Sequence, residues 1–257
     1  MAKDIKSMFS LEGKTAVISG ASRGIGEEIA RVFSMAGAQI VMSSRKEAGI
    51  SEAVEKLKAD GGDALAVVAN ISHLADCEKL IQESMDWAGK IDILVNNAGT
   101  NPAFGPLENV QESAWDKIFE VNLKGAFFTS QMAYNAWMKD NGGVIIHTAS
   151  VGAFGPAPTM NVYGITKAAM IHMTQCMASE WKSSGVRVNA LAPGVIKTRL
   201  SAALWDHPGQ QDTAPDNPAA RLGEVDDVAG SALLLASDAG AYINGQYIIM
   251  DGGAMAR

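Results

Sequence analysis

Tyr163 and Lys167, in the run Tyr163-Gly164-Ile165-Thr166-Lys167, are the side chains of this sequence best suited to moving a proton. A spacing of one helical turn puts the phenol and the amine on the same helix face. A free tyrosine ionises near pH 10, too high for a good general base at neutral pH. An ammonium about 5 Å away, at an effective dielectric near 20, favours the phenolate by roughly 3 kcal/mol, or about two pKa units. The pair therefore predicts a phenol with a lowered pKa. Taken alone, a tyrosine with a lysine one turn on also suits an ordinary amphipathic helix surface, so its neighbours matter. Ser150 closes a strand and Asn122 lies on an earlier helical pattern, and these two are the candidates to complete the set.

A second chemistry stands near the start of the chain. Gly20-Ala21-Ser22-Arg23-Gly24-Ile25-Gly26 follows a short apolar run and leads straight into a helical pattern. Glycines let the backbone turn sharply and approach a pyrophosphate, while the first free N–H groups of the helix and its dipole stabilise the anion. Ordinary tight turns also use glycines, and it is the strand-turn-helix setting that favours a dinucleotide. The next strand ends at Ser43-Ser44-Arg45-Lys46, where an NAD enzyme places an acid to hold the ribose hydroxyls. No acid is present. Arg45 can grip a 2'-phosphate with its planar fork and Arg23 can add a second positive charge, the alternative being two solvated surface cations. NADP(H) is expected over NAD(H), with NAD(H) left open.

The elements that must carry these groups are legible in the apolar pattern. Thr15 to Ser19, Gln39 to Ser43, Ala64 to Ala69, Ile93 to Asn96, Val144 to Thr148, Arg187 to Ala192 and Gln246 to Met250 read as seven strands. Helical spacing fills the intervals: Ile25 to Ala36, Ala53 to Lys58, Cys77 to Trp87, Trp115 to Met138, Ala168 to Trp181 and Val225 to Ser237. Alternating β and α predicts a doubly wound α/β fold, a seven-stranded parallel sheet with helices on both faces. No linker or repeat interrupts the chain, so residues 1-257 are taken as one domain. From Trp205 to Pro218 prolines and aspartates break the rhythm; a substrate lid around 199-220 is expected there, a plain variable loop being the alternative.

Composition narrows the partners. The net charge of −7 and the lack of a basic run argue against nucleic acid or an anionic membrane. Cys77 and Cys176 alone argue against a disulfide framework or a thiolate zinc site, and no metal site is expected. No apolar run approaches the roughly 20 residues that span a bilayer, Met1 to Ser10 lacks a secretory core, and Met255-Ala256-Arg257 is not a Ser-Lys-Leu ending. A cytoplasmic address is expected.

Gly20, Gly24 and Gly26, then Asn96-Asn97-Ala98-Gly99, Asn122, Ser150, Tyr163, Lys167, and Pro193-Gly194 before Thr198 occur together and in order. In this the chain resembles the short-chain dehydrogenases/reductases of single-domain type along essentially its full length, which implies a Rossmann-like fold. The resemblance implies that Tyr163 is the proton donor or acceptor and that Ser150 orients the substrate oxygen. It implies further that Lys167 binds the nicotinamide ribose and lowers the phenol pKa, and that Asn122 holds a relay water. It extends the expected cofactor contacts to Ser22, Ile25, Ser44, Asn70, Asn97, Ala98, Gly99, Pro193, Gly194, Ile196 and Thr198. Two departures stand out. Asn70 occupies a position where many members carry an Asp that accepts from the adenine amine, a bond an amide oxygen can still accept. His147 closes a strand and is read as a strand side chain.

The implied reaction interconverts an alcohol and a carbonyl by hydride transfer, on a small-molecule substrate and without a metal. Gly152, Phe154, Leu200 and Trp205, with Ser150, are expected to face the substrate; closing the core beneath the lid is their other reading. Mostly apolar segments favour a neutral ketone, aldehyde or secondary alcohol. Around Ile196-Lys197-Thr198 and Leu204-Trp205 the chain also resembles NADPH-dependent carbonyl reductases. Two rivals are a 3-oxoacyl-carrier-protein reductase and a non-catalytic NADP(H)-sensing protein. A homotetramer is the assembly the resemblance implies.

Overall fold

The computed structural model describes residues 4–156, 159–205, 219 and 221–256. Seven strands, β1 (Thr15–Ser19), β2 (Gln39–Ser44), β3 (Ala64–Val68), β4 (Ile93–Asn96), β5 (Gly143–Thr148), β6 (Val186–Pro193) and β7 (Tyr247–Met250), form one sheet in the order β3-β2-β1-β4-β5-β6-β7. Every neighbouring pair is parallel. The helices between them are α1 (Ile5–Phe9), α2 (Gly24–Met35), α3 (Glu47–Ala59), α4 (Leu74–Ala88), α5 (Glu112–Phe119), α6 (Ala126–Ala133), α7 (Lys139–Asn141), α8 (Asn161–Trp181), α9 (Ala202–Trp205) and α10 (Asp226–Ala236). This is the Rossmann-like, doubly wound arrangement expected from the sequence.

Successive strand residues point to opposite faces, and because helices cover both faces the strands are apolar throughout rather than alternating. Ala16, Ile18, Ile40, Met42, Ile93 and Val95 face one layer, where Ile29 and Phe33 of α2, Ile50 and Leu57 of α3, and Val228 and Leu235 of α10 pack. Val17, Val41, Leu94, Ile145 and Val188 face the other, against Leu80 of α4, Ala126 and Ala133 of α6, and Met170 and Met177 of α8. Each such large side chain, taken fully out of water, contributes about 1.5–3 kcal/mol. No helix among the described residues is long and apolar enough to cross a membrane.

Three elements differ from the sequence reading. α3 and α8 begin at Glu47 and Asn161, about two turns before the expected starts at Ala53 and Ala168. Glycines at 49 and 164 thin the apolar pattern there, and tertiary packing overrides their low propensity. The helix read over 115–138 is real, but π-turns at Glu120–Gly125 and Tyr134–Met138 divide it into α5, α6 and α7. Of the expected lid, residues 206–218 and 220 lie outside the described residues.

Candidate active site

The strand order reverses between β1 and β4, so the connections leaving their carboxyl ends part and open a crevice. Hydrogen bonds tie the two connections to each other. Ser19 Oγ accepts from the backbone N–H groups of Asn97 (3.1 Å) and Ala98 (3.2 Å). Asn97 Nδ2 donates to the carbonyls of Ser19 (3.2 Å) and Gly20 (3.1 Å). The turn comes so close that a Cβ on Gly20, where φ is +68°, would lie 2.7 Å from Ala98 Cα. A Cβ on Gly26 would lie 2.6 Å from the Gly20 carbonyl oxygen, so that glycine serves the packing of helix against turn.

Above this turn runs a groove of about 390 Å³. Gly20, Ser22, Arg23, Gly24 and Ile25 line one stretch; Ser44, Arg45, Lys46 and Asn70 line the far end; Asn97, Ala98, Gly99 and Thr198 complete it. Its described walls contain no carboxylate, and Arg23, Arg45 and Lys46 have no ion-pair partner among the described residues. Arg23, the residue before α2, gives the helix no side-chain cap, leaving its first N–H groups facing outward. Unpaired cations beside uncapped amides and a turn with glycines at its closest approaches fit a phosphorylated dinucleotide. Asn70 Oδ1 already accepts from the Ser72 hydroxyl at 3.0 Å and, at 3.4 Å, from the Ser72 N–H, so an adenine amine would share this oxygen with the longer of the two bonds.

Ile25, Asn97, Gly99, Thr198 and Leu200 are shared walls through which the groove meets a second cavity of about 380 Å³. This one is largely apolar, and in it Ser150, Tyr163 and Lys167 come together. Ser150 begins the short turn after β5, its Oγ accepting from Gly152 N at 3.2 Å. Tyr163 and Lys167 rise from the first turns of α8, brought close to that turn because Gly164 lets the helix meet the Gly152 carbonyl, 2.7 Å from where a Cβ would stand. Lys167 is buried; its Nζ donates to the Thr148 carbonyl at 2.6 Å and lies 5.4 Å from the Tyr163 ring centroid.

The titration of this pair departs from the sequence expectation. Burial pushes the Tyr163 phenol up to about 12, while a hydrogen bond with Ser150 pulls the other way. Burial likewise lowers Lys167 to about 7. For both groups the cost of placing a charge in a dry wall dominates.

Among the residues expected at the site, Pro193, Gly194 and Ile196 line the second cavity, as do Gly152 and Leu200. Four expected residues stand elsewhere. Gly26 lies beneath the turn, as described. Asn122, fully buried in the first π-turn, bonds to Thr100 and to α8: Oδ1 accepts from Thr100 N at 2.8 Å, and Nδ2 donates to Thr100 O at 3.0 Å and to Thr166 Oγ1 at 3.3 Å. Phe154 turns away from the cavity to lie against Tyr247, ring centroids 4.8 Å apart. Trp205 donates from its indole to Ser201 Oγ at 3.1 Å and is not a described wall. His147 is a fully buried strand side chain bonded to Thr174 and packed against Ser130.

Sequence reading missed Asn101, Phe104, Met160 and Met255, all walls of the second cavity. Met255 arrives from the far end of the chain and carries no local signal. Asn101 stands two residues beyond the Asn96-Asn97-Ala98-Gly99 run, a distance at which proximity alone could have flagged it.

A dinucleotide groove at the sheet's switch point, opening onto a dry cavity that holds a phenol and an amine, is the arrangement of a nicotinamide-dependent oxidoreductase. A family model described as enoyl-(acyl carrier protein) reductase matches residues 20–255. The dehydrogenase/reductase SDR family member 4 of Caenorhabditis elegans is 40% identical over 253 residues, 96% of each chain. The structure of a gluconate 5-dehydrogenase from Burkholderia cenocepacia, in complex with NADP and tartrate, is similar with a TM-score of 0.93 and 34% identity, covering 99% of this chain and 100% of that one. A short-chain type dehydrogenase/reductase from Mycobacterium marinum gives a TM-score of 0.93 at 32% identity over 99% of this chain and 100% of its own. The chain belongs to the short-chain dehydrogenase/reductase family, enzymes acting on CH–OH groups with NAD(P).

Proposed function

We propose that this enzyme interconverts a neutral ketone and a secondary alcohol, or an aldehyde and its alcohol, using NADP(H) in preference to NAD(H), with Tyr163 as the general acid/base. The observation that carries this reading is the meeting of Ser150, Tyr163 and Lys167 in an apolar cavity continuous with the cation-lined groove. Arg23 and Arg45 would hold the 2'-phosphate, Gly20 to Ile25 the pyrophosphate, and Asn70 the adenine amine. Pro193, Gly194, Ile196 and Thr198, which wall the cavity beside Gly99, would border the nicotinamide half. The bound cofactor supplies or accepts the hydride.

Tyr163 Oη holds the proton that a carbonyl oxygen receives in reduction, and Ser150 Oγ orients that oxygen. A phenol near 12 keeps its proton at neutral pH, the state that reduction requires. Lys167, anchored on the Thr148 carbonyl, stabilises the phenolate left behind whenever its amine is charged. Asn122, whose side chain ties down Thr100, is assigned the relay water that the resemblance implies. The largely apolar cavity, with Lys167 its sole cation among the described walls, favours uncharged substrates.

Reduction of a substrate carried on acyl carrier protein is a second reading, favoured by the description of the family model. The cations at the groove, Arg23, the adjacent Arg45 and Lys46, and Arg199, come from three stretches of the chain and are assembled by the fold. The phosphate reading employs the first two. Oxidation of NADPH and NADH, followed by absorbance with simple ketones and with 3-oxoacyl thioesters, tests both. Faster turnover of simple ketones with NADPH is expected, and turnover of thioesters alone would reverse the choice.

We further assign residues 1-257 to one functional unit, with 199–205 as the described part of a substrate lid, since Leu200, Ser201 and Leu204 wall the cavity. A homotetramer is supported by the edge strand β7, which exposes Tyr247 and Ile249 beside a fully exposed Tyr242. A cytoplasmic address is supported by Cys77 and Cys176, both free thiols.

A further inference from the structure

Among the polar side chains of the Tyr163 cavity, all but one have partners. Asn97 bonds to Ser19 and Gly20, Thr198 pairs with Ser201 at 3.0 Å, Ser150 accepts from Gly152, and Lys167 donates to Thr148. Asn101 is the exception. It is 9% exposed, lines the cavity, and both Nδ2 and Oδ1 lack a hydrogen-bond partner among the described residues. A buried amide left unpaired costs stability with no structural return, and a chain that bears this cost in its cavity wall holds a recognition group in waiting.

We infer that Asn101 reads a second polar group on the substrate, a hydroxyl carried in addition to the carbonyl being reduced. The amide offers donors at Nδ2 and an acceptor at Oδ1, and a hydroxyl answers both because it accepts and donates. A second carbonyl or an ether answers only Nδ2. A carboxylate, acceptor-only, likewise answers only Nδ2, and the cavity's described walls offer its charge no cation besides Lys167, which is engaged by Thr148. The substrate class is therefore an uncharged hydroxyketone, with its reduced counterpart, a diol, the substrate in the reverse direction. The rest of the cavity, walled by Phe104, Met160, Leu204 and Met255, accommodates the apolar remainder. This assignment rests on the reading of the cavity as the site of carbonyl reduction.

The test compares an eight-carbon methyl ketone with its derivatives hydroxylated beside the carbonyl, in mid-chain and at the far end, using NADPH and NADH with the wild-type protein, Asn101→Leu and Asn101→Ser. In the wild type at least one hydroxyketone should exceed the plain ketone in kcat/KM by about 10- to 100-fold, the range set by leaving a buried polar group unpaired. Asn101→Leu should lose that preference and gain efficiency on the plain ketone, and Asn101→Ser, which keeps a donor and an acceptor, should retain part of it. Asn101→Leu should also melt at a higher temperature than the wild type, a readout independent of turnover. Equal efficiency on all four ketones, or a preference that survives Asn101→Leu, overturns the assignment while the reductase reading stands. Absence of coenzyme oxidation with every ketone overturns that reading and this assignment with it.

Discussion

Acid should unfold this protein through one imidazole. His147 is fully buried in β5, with Nδ1 2.8 Å from Thr174 Oγ1 and Nε2 3.3 Å from Ser130 Oγ. Thr174 Oγ1 donates to the Met170 carbonyl, and Ser130 Oγ accepts from Asn96 Nδ2. The Thr174 hydroxyl, its proton committed to Met170, accepts from Nδ1–H, which assigns the neutral Nδ1–H tautomer; the Ser130 hydroxyl gives its one proton to the Ala126 carbonyl at 2.7 Å and packs against Nε2. Burial first, and then the charge of Lys167, lower the imidazole from 6.5 to about 3. Above pH 6.5 the ring is neutral in both folded and unfolded chains. Between 6.5 and about 3 the unfolded chain binds a proton that the folded one refuses, so stability present at neutral pH is lost as the pH falls through that window. The slope is roughly 1.4 kcal/mol per pH unit, giving roughly 2 kcal/mol by pH 5 and of order 5 kcal/mol across the whole window. Urea unfolding at pH 7.5 and pH 5, with wild type and His147→Gln in parallel, measures it. The variant should lose roughly 2 kcal/mol less on acidification. Equal losses in the two proteins, or a His147 NMR resonance titrating near its ordinary value, would refute the reasoning.

Two further outcomes follow from the groove. Arg45→Ala should raise the KM for NADPH by about 10- to 100-fold, the worth of a charge-assisted hydrogen bond, and leave that for NADH nearly unchanged; equal effects on both cofactors in steady-state kinetics would remove Arg45 from the 2'-phosphate. Gly20→Ala places a Cβ 2.7 Å from Ala98 Cα at a positive φ of +68°, so a lower melting temperature and weaker NADPH binding by fluorescence titration are expected, and a variant matching wild type in both would show the turn is not constrained as described.

How far the sequence carried depended on whether a property is local. The strands were legible because Ala16-Val17-Ile18 and Val144-Ile145-Ile146 are apolar on both faces, which only a sheet covered on both sides explains. Tyr163 and Lys167 were legible because one helical turn fixes their common face. The π-turn around Asn122 was not, since a slip in the backbone hydrogen-bond ladder leaves no mark on apolar periodicity. Phe154 looked like a cavity wall from its neighbours in the chain, and its true partner, Tyr247, lies on the edge strand. The phenol's pKa differs from the sequence expectation for the same reason: the charge next door can be read from spacing, whereas the desolvation that raises the phenol is a property of the assembled wall. Asn101 likewise becomes informative only when its burial and its missing partners are seen together.

Steady-state reduction of a ketone by NADPH, wild type against Tyr163→Phe, puts the central claim to its most direct test. Turnover should fall by about 100- to 10,000-fold, the span that positioned acid-base catalysis provides, while NADPH affinity measured by fluorescence stays near the wild-type value. Near-normal turnover in that variant would contradict the assignment of Tyr163 as the group that delivers the proton.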